Sequence, residues 1–426
     1  MRLLLPLSRQ RSNQLAVQIP VCGNIGPITM HPRLWAILFA ASLLFVAYSQ
    51  VPNEAFRQRS LAAEKTGLAE PFRGVTTSGT VQPGLFALKS TKVSTEPARR
   101  AAVAFLASLT PAQRQKTTFP VDDIEWRKWM NQDFYVRQGM KFKDMSDPQK
   151  DAAFGLLKAS LSAKGLQLSR DIMHLNETLG ELNNNDFVRY GEGEYWVTLM
   201  GEPSAAHSND KPWGWQLDGH HLIINYFVLG DQVVMTPTFL GSEPVIATSG
   251  KYKGTTILQD EQALGLRLVQ SFTPDQQKKV ILESNKTKNY NLGEAFKDNL
   301  VLDYAGLPGS AMTAAQKQHL LDLVGAYVGT MDPGHAKIKI DEVRKHIDAT
   351  HFAWIGGTEE KSVYYYRVHS PVILIEFDHQ NPVGLRHLSK APTLPDHEHI
   401  HTVMRTPNGN DYGKDLLRQH YLKHPH

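Results

Sequence analysis

The chain has one cysteine in 426 residues, Cys22, and no acidic residue before position 50. If the segment that holds Cys22 is removed on export, the remaining protein has no thiol. That excludes disulfides, thiolate nucleophiles and Cys-ligated zinc or iron–sulfur sites. Any metal must then be held by His, Asp, Glu, Tyr or backbone oxygen. No G-x-G-x-x-G, P-loop or G-x-S-x-G pattern occurs, so the common nucleotide and serine-hydrolase signatures are missing.

Long hydrophobic runs are missing too, except for Leu34 to Tyr48. At fifteen residues this run is short for a membrane span, which needs about 20. It follows His31-Pro-Arg33 and ends near the small residues Ala47 and Ser49, which fits a secretory signal cleaved after Ser49. Residues 1–49 therefore read as a signal peptide, with 1–29 as an over-extended start because Met30 opens the segment. An uncleaved anchor is the competing reading. Both export the body of the protein, to the periplasm or beyond, and no stable span is expected once the signal is gone.

The same segment explains the charge. The net +4 comes from Arg2, Arg9, Arg11 and Arg33, and removing them leaves 42 basic residues against 42 acidic. A neutral mature chain lacks the basic footprint that nucleic acid requires. With 41% apolar and 21% charged residues, the body has the composition of a soluble globular protein.

Residues 50–70 are polar and read as a linker, and 71–426 as a single large α+β domain. Helices are expected over 97–109, 147–164, 169–183, 261–269, 273–283, 313–327 and 415–422. Strands are expected over 195–199, 222–229, 232–235, 363–368 and 372–377, the second and third forming a hairpin around Gly230-Asp231. Helices and antiparallel strands fall in separate blocks, which favours α+β: a helix-rich N-terminal half packed on a mainly antiparallel sheet that carries the His-rich C-terminal strands. One phrase recurs: Thr110-Pro-Ala-Gln113, Thr273-Pro-Asp-Gln276 and Thr313-Ala-Ala-Gln316. It reads either as a weak helical repeat or simply as a good helix start.

Nine of the eighteen histidines lie from His369 onward, three of them in His397-Glu398-His399-Ile400-His401. Side chains alternate faces on a strand, so His399 and His401 point the same way, as do Glu376 and Asp378 in Val-Ile-Leu-Ile-Glu376-Phe-Asp378-His379. Two imidazoles beside carboxylates are ligands for a divalent metal (zinc, iron or copper) or acid–base groups. The bland alternative is a solvated strand. A carboxylate in so apolar a run as that around Glu376 must be paired or coordinated if it is buried.

Further upstream, Gly219-His220-His221-Leu222 enters an apolar strand, where adjacent residues face opposite sides and only one of the two histidines joins a given site. Glu243 follows in the turn Thr236-Pro-Thr-Phe-Leu-Gly-Ser-Glu-Pro244. Arg405 shares the face of His401 if the strand continues. The expected metal ligands are His220 or His221, His399, His401, Glu376 and His379. Glu376, Arg405 and Glu243 are the candidate catalytic groups.

Phe72-Arg-Gly-Val-Thr-Thr-Ser-Gly79, Ala104-Phe-Leu-Ala-Ser-Leu-Thr-Pro111, Glu125-Trp-Arg-Lys-Trp129, Trp213-Gly-Trp215, Gly219-His-His221, Thr236–Pro244 and His399-Ile-His401 together resemble a family of exported bacterial proteins catalogued as a domain of unknown function, DUF3500. The resemblance covers roughly 70–420 and implies one unit, with no catalytic residues to transfer. The function expected is an exported metal-dependent enzyme, a hydrolase first, acting on a small molecule or polymer. Two alternatives stand beside it: a copper or iron oxidoreductase on the same histidines, and a non-catalytic exported binding protein whose cleft is lined by Trp126, Trp129, Trp213 and Trp215.

Overall fold

Four helices of this chain begin where a hydroxyl stands three residues before a glutamine. Thr110 with Gln113, Thr273 with Gln276 and Thr313 with Gln316 each close a capping box, hydroxyl to backbone N–H and amide back to the cap's own N–H. At Ser146 the backbone N–H donates to Gln149 Oε1 at 3.0 Å. These glutamines also join helix to helix. Gln149 Nε2 donates to Gln113 Oε1 and to Ser108 O, and Gln316 Nε2 donates to Gln276 Oε1 and to Ser271 O. The recurrent phrase is therefore the trace of a larger repeat.

In the computed structural model the described residues are 54–203, except 56, and 211–424. The apolar run at 34–48 and the cleavage point expected after Ser49 lie outside them. Residues 57–67, within the expected linker, are helical (α1). Then come α2 (Glu96–Ser108), α3 (Pro111–Thr117), β1 (Thr118–Phe119), β2 (Met140–Lys141), α4 (Asp147–Ser160), α5 (Ala163–Leu182), β3 (Tyr195–Gly201), β4 (Trp213–Gly219), β5 (Leu222–Leu229), β6 (Gln232–Val234) and β7 (Thr238–Ser242). The order starts again with α6 (Gln259–Gln270), α7 (Pro274–Val280), β8 (Ile281–Glu283), β9 (Leu307–Pro308), α8 (Ala314–Val328), α9 (Pro333–Lys345), β10 (His351–Gly356), β11 (Tyr364–His369), β12 (Leu374–His379) and β13 (Ile400–Arg405), and closes with α10 (Lys414–Lys423). Among the described residues no helix is long and apolar enough to cross a membrane.

All thirteen strands join one mixed sheet, ordered β1-β3-β4-β5-β7-β13-β12-β11-β10-β8. The order is palindromic about the antiparallel β7–β13 pair. At both ends a short strand pairs in parallel, β1 with β3 and β8 with β10, and all other pairs are antiparallel. The fold is α+β as expected, with the sequence of helices followed by strands run twice. Even local detail repeats. Gly139 and Gly306 both take positive φ, 92° and 84°. A Cβ at either would overlap a carbonyl of the neighbouring strand, Val197 O in one case and Phe352 O in the other.

The two faces of the sheet differ. One alternation register puts Trp213, Trp215 and Leu217 of β4, and Tyr364, Tyr366 and Val368 of β11, against the helices. There the Trp215 Nε1–H donates to Ser160 Oγ at the end of α4, and Tyr366 and Tyr327 of α8 share a hydroxyl–hydroxyl bond of 2.6 Å. The opposite register carries Gln216, Asp218, Glu376, Asp378, His401 and Arg405, all buried. Segments without α-helix or strand cover this polar face, including 121–137, 284–303 and 406–413.

Candidate metal centre

On β13 the alternation holds: His401 lies on the polar face, and His399, just ahead of the strand, lies on the same side. The residue opposite His401 on β7 is Gly241, which leaves room for the imidazole beside the ladder. His221 arrives differently. It sits in the two-residue turn between β4 and β5 with φ 61°, the left-handed region that side chains with a Cβ seldom occupy. Two backbone bonds hold it there: its N–H donates to Asn131 O at 3.2 Å, and its carbonyl accepts from the Gly241 N–H at 2.9 Å.

The three imidazoles converge on one point. Their Nε2 atoms are separated by 2.9 Å (His399–His401), 3.2 Å (His221–His401) and 3.3 Å (His221–His399). Nitrogens bound at the usual 2.0–2.1 Å to a tetrahedral ion stand about 3.3 Å apart. The three histidines are buried and lie close enough together to hold a metal ion.

The outer nitrogens decide the tautomers. His399 Nδ1 is 2.7 Å from Asn381 O, which can only accept, so Nδ1 carries the proton and Nε2 a lone pair. His401 Nδ1 is 2.9 Å from the Glu294 carboxylate, which imposes the same tautomer. Two lone pairs then face each other across 2.9 Å, an arrangement that repels unless a cation lies between them. The pattern of ring N–H to carbonyl or carboxylate is the one that orients histidine ligands in metal sites. Burial holds His221 well below the usual imidazole range. Burial also lowers His399, to about 4, against the pull of Glu243. Neutral rings are the form that donates to a metal. Glu294 is half-buried; burial alone would raise its pKa, but the hydrogen bond from His401 leaves it lowered.

The other expected site residues lie elsewhere. His220 stacks on His221 at 3.9 Å between ring centroids, and its Nδ1 bonds Asn176 Oδ1 at 2.8 Å, so it braces the turn. Glu243 stands 3.6 Å from His399 Nδ1. Its carboxylate accepts the backbone N–H groups of Val383, Gly384 and Leu385, fixing the loop that presents Asn381. Glu376 is buried and accepts from Tyr365 Oη at 2.6 Å and from the N–H groups of Leu292 and Gly293. Burial raises its pKa, and those donors oppose the shift. His379 faces the helices and bonds Gln262 Oε1 at 2.7 Å. Arg405 is spent on protein groups: Asp298, Asp411 and the carbonyl of Gly293.

The tryptophan cleft does not form. Trp126, Trp129, Trp213 and Trp215 are all buried in the core. Gly214 has no side chain and so lets Trp126 approach β4 closely.

Sequence reasoning missed two groups, Glu294 and the carbonyl of Asn381. Glu294 lies in an irregular stretch with no periodicity to place it, and a carbonyl carries no residue signature at all. A family model described as "Protein of unknown function (DUF3500)" matches residues 91–414, a span that holds both halves and all three histidines. No curated protein and no solved structure matches the chain.

Proposed function

The chain belongs to the DUF3500 family of proteins of unknown function, and we propose from its histidine site that it is an exported metal-dependent enzyme, a hydrolase first. The pair of Nε2 lone pairs forced together at 2.9 Å between His399 and His401 carries this reading. Three protein donors leave a coordination position open, as catalytic zinc sites do. A zinc ion in such a site supplies Lewis acidity and lowers the pKa of a coordinated water to about 7.

The chain's own residues supply the rest. Asn381 O and Glu294 fix the tautomers of His399 and His401, and His220 keeps His221 turned inward. Glu294 is also the group that reaches solvent: its side chain is 28% exposed, so it links the buried imidazoles to bulk water and can receive a proton at the rim. The same donor set suits iron or copper. The basic, short apolar leader at 31–49 supports export. A purely structural ion is the second reading, and the burial of all three imidazoles favours it.

Elemental analysis of the purified chain is expected to show about one bound metal per molecule, absent from His399→Ala/His401→Ala. Metal at a thousand times its dissociation constant should stabilise the wild type by about 4 kcal/mol in thermal melts. Chelator-sensitive hydrolysis in an ester and phosphoester panel, restored by zinc, is the expected activity. A metal-free wild type whose stability does not change in the double variant would sink the proposal. Bound metal without chelator-sensitive hydrolysis would favour the structural ion.

A further inference from the structure

A second site lies outside the histidine centre, in a cleft of about 550 Å³ walled by α4, α5 and the segment 187–193. Its volume falls within the range of small-molecule sites. We propose that this cleft binds an anionic aromatic small molecule, with Arg170 as the residue that receives its charge.

The charge argument comes from pairing. Glu177 accepts the backbone N–H of Glu192 at 2.8 Å, and Glu192 in turn takes the Lys251 ammonium at 3.0 Å and the hydroxyl of Tyr252. Lys143 pairs with Glu194 at 3.0 Å, and Lys150 stands 3.6 Å from Asp147. Arg170 has no carboxylate partner among the described residues. Its guanidinium lies 4.1 Å over the ring of Phe154, which holds the fork flat and leaves its N–H edge free. Among the cations that line the cleft, this planar one is left without a carboxylate.

The walls specify the rest of the ligand. Tyr252 stacks on His174 at 3.9 Å with 14° between the planes and carries the Lys251 ammonium 4.7 Å over its ring, so the pair walls one side with ring edges. Phe142 and Phe154 meet at 5.0 Å on another. Such faces hold a planar ring by offset or edge contact, while a bidentate carboxylate fits the guanidinium edge. The inference is independent of the metal proposal: none of its residues touches the three imidazoles, and it would stand if the histidines bound nothing.

Calorimetric titration of the full chain with 1-naphthoate, and with the neutral 1-naphthalenemethanol, tests it. Naphthoate is expected to bind one per chain and to weaken about tenfold in Arg170→Ala, a loss that fits one charge-assisted contact. Arg170→Lys should keep part of the affinity. Tyr252→Ala, which removes a ring and no charge, should weaken both compounds. Arg170 is solvent-exposed, so its variants are expected to keep the wild-type circular dichroism. Equal binding of acid and alcohol, unchanged affinity in Arg170→Ala, or no naphthoate binding at millimolar concentration would overturn the proposal.

Discussion

Trp215 reaches Ser160 in the first half of the sheet, and Tyr366 reaches Tyr327 at the matching place in the second. On the helix-facing side, then, the halves are variations on one layout. At the strand turns they part. Between β4 and β5 the chain reads Gly219-His-His-Leu222, with a left-handed histidine aimed at the seam. Between β11 and β12 it reads Ser370-Pro-Val-Ile373, a turn closed on itself by Ser370 Oγ accepting the N–H groups of Val372 and Ile373. The polar face differs as well. Asp218 on β4 pairs with Arg137 at 2.9 Å, whereas the corresponding position on β11 is His369, packed at 4.6 Å from Tyr304. The two halves place their elements symmetrically, and the histidine cluster sits where they differ. The histidine centre draws one ligand from the first half and two from the second, so neither half holds it alone.

The largest effect is expected at the seam. Asp298 accepts from Arg127 of the first half at 2.8 Å, and from Arg405 and Tyr412 at 2.9 and 3.0 Å. Arg405→Met would leave Asp411 buried without a cation and Asp298 with Arg127 alone, at a cost of roughly 3–5 kcal/mol. Urea unfolding should show it, with separate transitions if the halves uncouple. A loss below about 1 kcal/mol would mean the seam does not depend on this arginine.

The next effect separates the two polar faces by pH. Burial, helped by Arg367, lowers His369 to about 3, while burial raises Asp218 to about 6 against the pull of Arg137. The unfolded chain therefore takes up a proton at His369 before the folded one does. Stability is lost as pH falls below about 6.5, by about 2 kcal/mol at pH 5. Asp218 works in the opposite sense, since its folded form holds the proton at higher pH. His369→Gln should flatten the decline between pH 7 and 5 in urea midpoints; an unchanged slope would remove His369 from the account.

The smallest effect tests the likeness of the copies. Thr110→Ala and Thr273→Ala should each cost about 1 kcal/mol and agree closely, because both remove the same cap. A large difference between them would show that the boxes do unequal jobs.

Much of this architecture was legible in the sequence because it rests on local rules. The boxes at Thr110, Thr273 and Thr313 announce helix starts, and strand alternation alone pairs His399 with His401. Alternation also puts His379 on the face opposite Glu376 and Asp378, which is where it lies. Strand alternation leaves open which of His220 and His221 joins the site, and it does not apply to them: both belong to a turn, and the direction of His221 comes from backbone bonds to Asn131 and Gly241. The duplication left only a faint trace, since aromatic positions such as Trp213-Gly-Trp215 and Tyr364-Tyr-Tyr366 kept their spacing while their identities changed. The strand β10 and the helix α9 escaped notice, as did the support from Glu294 and Asn381, which depends on loops whose course no periodicity dictates.

The palindrome has one more consequence, at the rims of the sheet. The outer side of β3 is covered by β1 along Leu199–Met200 and by β2 along Trp196–Val197. The outer side of β10 is covered by β8 near Trp354–Ile355 and by β9 along His351–Phe352. Each covering piece is only two or three residues long. A long, flat, unpaired strand invites another chain to add on and begin an aggregate. Here duplication has given both margins the same fringe of fragments, too short to serve as a template, and a thirteen-stranded sheet ends without an adhesive border.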